Sequence, residues 1–132
     1  MTDELENARK WFRKAESDLA NARRTTAGEE GPYDTACFHA QQAAEKYLKG
    51  FLIAHGEEIP HTHSLEELAH RADDVTPLGL GLAKLAELSY YAVEVRYDLD
   101  MWPEQETAEK GIETAERVKA AVLKHLPEKA HP

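Results

Sequence analysis

The sequence predicts an all-α fold, an up-and-down four-helix bundle with one additional short helix, and three observations point to it. Apolar residues recur at steps of three and four along most of the chain, and no segment alternates as a strand does. Breaks at Gly28, Gly31-Pro32, Gly56, "ADDVTPLG", "DLDMWPEQE" and Pro127 divide the chain into helix-length pieces. With 132 residues, 42% of them apolar, the chain has the size and composition to fill one core.

The first helix is expected over about residues 3–27, with Leu5, Ala8, Trp11, Phe12, Ala15, Leu19 and Ala22 as its inward stripe. The second is expected over about residues 32–55, with Pro32 in the first turn and Gly56 just past the end. Ser64 and Glu67 form a capping box that starts a short third helix. Thr76-Pro77 reads as the cap and first position of a fourth, running to about Leu99. Leu78, Leu82, Leu85, Ser89 and Ala92 would line its inner face. Pro103, Glu104 and Glu106 start a fifth, which reaches about Leu126 with Ala108, Ile112, Ala115, Val118 and Val122 inward. Residues 1–126 are thus expected as one helical domain and 127–132 as a short flexible tail.

Composition restricts the function classes. A formal net charge of −9 argues against non-specific nucleic-acid binding, while leaving room for a local nucleotide or RNA site. The one cysteine, Cys37, forbids an intrachain disulfide and excludes thiolate-rich zinc sites. Its apolar neighbours make it a buried thiol and a poor nucleophile. No apolar run has the length of a membrane span, and "MTDELENARK" lacks the apolar core of a signal peptide, so a cytoplasmic protein is expected. The Glu-x-x-His pattern of Glu67 and His70 occurs once on a helix, whereas a carboxylate-bridged dimetal bundle needs it twice; no metal and no cofactor are expected. Phosphate-loop, dinucleotide and nucleophile-elbow motifs are missing from the sequence.

Two places hold polar residues of interest. On the second helix, at about 100° per residue, His39, Gln42, Lys46 and Lys49 form a stripe opposite a broad apolar arc. It reads either as a solvated face or as an anion or nucleotide contact. Gln41 falls inside the arc, so its amide needs partners. On the fourth helix, the inward face carried forward reaches Arg96, which must pair, reach out to water, or face another subunit. Tyr97 and Asp98 follow it, and a local Arg–Asp pair closing the helix is the plainer reading. Trp102, Tyr90 and Tyr91 are candidates for a subunit interface.

The residues "ACFHAQQAAEKYLKGFLIAHGEEIPHTHSLEELAHRA", followed by "VEVRYDLD", resemble the HEPN domain family. The resemblance extends from "WFRKAESDLANA" to "ETAERVKAAVLKHL", and is most specific from Cys37 to Lys46 and at the His63-Ser64-Leu65 turn. It implies an up-and-down helical bundle that often forms homodimers. Many members are encoded or fused with a minimal nucleotidyltransferase, in pairs that look like toxin–antitoxin systems, and a nucleotide-binding role was proposed for the family. Many others are metal-independent ribonucleases in which an Arg, a polar residue and a His, four to six residues intervening, act across a dimer. Here the positions for that histidine hold Met101, Trp102 and Pro103, none of them a general acid or base. Arg117 and His125 are one residue too far apart.

The resemblance therefore implies a non-catalytic module that forms a homodimer, binds a nucleotide, partners a minimal nucleotidyltransferase, or combines these. His39, Gln42, Lys46, Arg96, Tyr97 and Asp98 are the candidate groove residues, and no residue is assigned a catalytic role. The alternative is a ribonuclease toxin with a degenerate site.

Overall fold

The computed structural model describes residues 2–132; Met1, counted in the expected domain, lies outside the described residues. Five α-helices follow one another: α1 (Asp3–Ala27), α2 (Tyr33–Ala54), α3 (Leu65–Val75), α4 (Leu82–Tyr97) and α5 (Gln105–Lys124). They form the expected up-and-down bundle, with α3 as the short extra helix, and there is no strand among the described residues. No helix is long and apolar enough to cross a membrane.

The helix ends follow local chemistry. Thr2 Oγ1 accepts from Leu5 N at 3.2 Å and starts α1, and Ser64 Oγ accepts from Glu67 N at 3.2 Å and starts α3. At the end of α2, Gly56 takes φ +73°. Gly56 N donates to Ile53 O at 3.0 Å and Glu57 N to Leu52 O at 2.9 Å, which closes the helix with a left-handed glycine.

Packing centres on α2, which touches all four other α-helices. Its most extensive contact is with α1. There Gly50 lets the helices approach so closely that an added Cβ would lie 2.5 Å from Phe12 Cε1. Phe12 stacks on Tyr47 with ring centroids 5.2 Å apart. Leu19, Leu48, Phe51, Leu68, Leu85 and Val118 complete the centre of the core.

Two expectations are corrected. First, α4 begins at Leu82, not at Pro77. Gly79 has φ +71°, which no right-handed helix contains, and Leu78 N turns back to Asp73 Oδ1 at 2.9 Å. The inward stripe of α4 is consequently Leu85, Leu88 and Ala92, while Leu82 is 53% exposed. Second, the end of the chain is packed where a flexible tail was expected. Glu128–Ala130 make a 3-10 turn against α1, and Ala130 is fully buried. His131 Nε2 reaches carbonyls at and just past the end of α5, Leu123 O at 2.9 Å and Leu126 O at 3.2 Å, and Arg9 Nε donates to His131 O at 3.1 Å.

Candidate functional site

The polar stripe of α2 is largely withdrawn from solvent, and α1 engages two of its residues. Asp18, on the inner side of α1, accepts from Lys46 Nζ at 2.5 Å through Oδ2 and meets His39 Nδ1 at 2.9 Å through Oδ1. Asp18 is buried, so this pairing compensates a carboxylate held away from water. Sequence reasoning missed Asp18, although a signal existed: it lies at helical spacing from Ala15 and Ala22, a lone acid within the apolar stripe.

A second network lies beside the first on α2. Buried Glu45 accepts from Lys49 Nζ at 3.0 Å and Gln41 Nε2 at 3.2 Å, and His63 Nδ1 lies 3.1 Å from it. Gln41, 2% exposed, also donates to His63 O at 3.2 Å and accepts from Gln42 Nε2 at 2.8 Å. The amide has the partners that its burial demands, and it ties the loop before α3 to α2. Gln42 serves that amide. The first network joins α1 to α2, and the second joins the loop before α3 to α2.

Arg96 sits elsewhere. From the last turn of α4 its guanidinium reaches across to α2 and lies over the Phe38 ring, 4.3 Å from the centroid. This is the outward reach expected of an arginine on that stripe, with the residue exposed and its guanidinium against an aromatic face. The local Arg96–Asp98 pair does not form; Asp98 Oδ1 instead accepts from Asp100 N at 3.1 Å. Tyr97 is 77% exposed, with its ring 6.0 Å from the Arg96 guanidinium.

Arg96, Phe38, His39, Asp34 and Thr35 line one open groove of ≈ 380 Å³ between the start of α2 and the end of α4. Of the six candidate residues, His39 and Arg96 meet in it. Lys46 lines a different hollow, against α1, and Gln42, Tyr97 and Asp98 are not among the groove's walls. Phe38, Asp34 and Thr35 are groove residues that the sequence did not single out. Asp34 Oδ1 is buried there without a hydrogen-bond partner among the described residues. Asp34 also acts on its neighbour: burial first, then the Asp34 charge, push the Cys37 thiol up to about 11, which keeps it protonated and inert.

A third polar cluster braces α1, α2 and α5. Glu16 accepts from Tyr47 Oη at 2.8 Å and Lys119 Nζ at 2.7 Å. Burial raises the Glu16 carboxyl, but the Lys119 and Tyr47 hydrogen bonds and the Lys119 and Arg23 charges outweigh it and leave the carboxyl below its ordinary value. Burial, then the Glu16 hydrogen bond and charge, raise the Tyr47 phenol strongly.

Comparison with known proteins agrees with this architecture. The family model described as "HEPN domain" matches residues 8–126. The crystal structure of TT1696 from Thermus thermophilus superposes with a TM-score of 0.76 at 29% identity, covering 90% of this chain and 98% of that one. The archaeal protein ST0689, described as a HEPN homologue, superposes with a TM-score of 0.66 at 26% identity, covering 89% of this chain and 95% of that one. No curated protein sequence gives a significant match.

Proposed function

Because the chain belongs to the HEPN domain family, we propose that it is a non-catalytic HEPN module whose groove between α2 and α4 holds a nucleotide. One observation carries this reading: Arg96 and His39, far apart in sequence, line one groove with an aromatic ring and an unpartnered acceptor. A phosphate suits the Arg96 guanidinium. Asp34 Oδ1 suits an amino group of a base or a sugar hydroxyl. Cleavage would further require an acid–base partner after Arg96, and Met101, Trp102 and Pro103 supply none.

The module works, on this reading, as a cytoplasmic homodimer that partners a minimal nucleotidyltransferase in a toxin–antitoxin-like pair. An unpaired surface supports the dimer. Leu82, Tyr90, Val93 and Tyr97 recur at helical spacing on the outer side of α4, each at least 44% exposed, and Leu99 and Trp102 extend the patch. Tyr90 faces outward, whereas Tyr91 packs inward against Ala36, Cys37 and Ala108.

The degenerate ribonuclease remains the second reading, favoured by one detail. His39 has its Nδ1 held by the Asp18 carboxylate, the kind of contact that orients an imidazole for acid–base work. Incubating RNA with purified protein in the presence of a chelator separates the two. Intact RNA is the outcome for the module. Metal-independent cleavage that disappears in both Arg96→Ala and His39→Ala would establish the ribonuclease.

A further inference from the structure

Beyond its acidic first turn (Asp3, Glu4, Glu6), the outer face of α1 is charged opposite to the rest of the molecule. The protein carries a formal −9, with 25 acidic and 16 basic residues. Within residues 7–27 lie six of the bases, Arg9, Lys10, Arg13, Lys14, Arg23 and Arg24, but only two acids. Both acids turn inward and are engaged: Glu16 with Tyr47 and Lys119, Asp18 with His39 and Lys46. Lys10, Arg13 and Lys14 are exposed. Such segregation on one helix makes a local positive field in a protein that otherwise repels anions.

The cations surround a place where a flat ring fits. Asn7, Lys10, Trp11, Lys14, Lys46 and Ile53 line an open hollow of ≈ 380 Å³ between α1 and α2. Trp11 is half-buried, so the indole is braced on one side by the bundle and borders the hollow on the other. Lys46, already paired with Asp18, contributes its stem and little free charge. Next to the hollow, Arg9, Lys10 and Arg13 line a second depression with Glu6.

We propose that this face binds a short segment of single-stranded RNA, with one base stacked on Trp11 and the flanking phosphates on Lys10, Arg13 and Lys14. An aromatic platform set among cations, with the Asn7 amide as its one uncharged polar wall, is the combination that single-stranded nucleic acid uses. An acidic peptide would meet the same charges but gain little from the indole. The negative charge beyond α1 limits the footprint to a few nucleotides. This site is separate from the Arg96 groove and does not depend on it.

The experiment uses full-length protein carrying Trp102→Phe, which leaves Trp11 as the sole tryptophan. Titration with an eight-nucleotide single-stranded RNA at low salt should quench Trp11 fluorescence. With about three phosphate contacts, log affinity should fall with log salt at a slope of about −2. Lys10→Glu/Lys14→Glu should weaken binding at least tenfold while leaving nucleotide binding in the groove and the circular dichroism spectrum unchanged. A duplex of equal length, whose bases are not free to stack, should bind at least tenfold more weakly. Unquenched Trp11, equal binding of duplex, or no effect of the double charge reversal would each overturn the proposal. So would a polyglutamate peptide that binds through Lys10 and Lys14 where the RNA does not, since that identifies an acidic protein partner. Trp11 reports on the hollow alone, so the result stands whether or not the groove takes a nucleotide.

Discussion

Helices α2 and α4 meet at the groove, but they are held in opposite ways. Helix α2 is enclosed by four neighbours, and even its charged residues are turned into pairs: Lys46 with Asp18, Lys49 with Glu45. Helix α4 buries Leu85, Leu88 and Ala92 on one side and presents Leu82, Tyr90, Val93 and Tyr97 to solvent on the other. Polar residues inside the bundle and apolar residues outside it invert the usual arrangement. The inversion teaches where to look for function. Most polar groups of α2 are committed to structure, while the apolar surface left for partners belongs to α4, and the groove combines the start of α2 with Arg96 of α4.

Substitutions should therefore damage α2 and its contacts far more than α4. The largest effect is expected for Phe12→Ala, which empties the space between Gly50 and Tyr47. It should cost about 3–5 kcal/mol in urea unfolding, and a loss similar to that of an exposed residue would show that the α1–α2 seam is loosely packed. Next comes Glu45→Ala, which strands buried Lys49 and removes one partner from Gln41. We expect a loss of about 3 kcal/mol from the same measurement, and a negligible loss would mean that these groups find water.

Smaller, and lost in acid, is the contribution of Glu16. Its carboxyl is lower in the folded protein than its ordinary 4.5. The stabilisation is thus present above the unfolded value and disappears as pH falls through the folded one. Wild type and Glu16→Gln should differ at neutral pH and converge on acidification; parallel curves down to low pH would contradict the assignment. The smallest effect on stability should come from Tyr90→Lys/Val93→Lys on the outer face of α4. Dilute protein should change by no more than about 0.5 kcal/mol, yet light scattering should show a shift from dimer to monomer. A large loss of stability without a change in mass would place those side chains in the core instead.

Much of this arrangement was legible in the sequence, and the rest was hidden for physical reasons. The all-α class, the end of α2 at Gly56 and the capping box at Ser64 follow from local rules, and the structure contains each. Gln41 was readable as a buried amide because its angle on the helix lies among apolar neighbours. The fate of His39 and Lys46 was not, since projecting one helix shows which residues share a face but not which neighbour covers it. Only the chain fold brings Asp18 beneath them. The start of α4 was misread because Thr76-Pro77 satisfies every local preference for a helix start, whereas the left-handed Gly79 interrupts it. Arg96 was recognisable as an anomaly, but its position over Phe38 depends on the crossing of two helices, which no spacing encodes.

Everything proposed for the groove between these two helices depends on whether it binds a nucleotide through Arg96. Calorimetric titration of adenosine and guanosine triphosphates into wild type and Arg96→Ala tests it directly. Saturable binding of at least one nucleotide to wild type is expected, weakened at least tenfold in Arg96→Ala, with the fold of the variant intact. Equal affinity in the two proteins, or no binding to wild type, would contradict it.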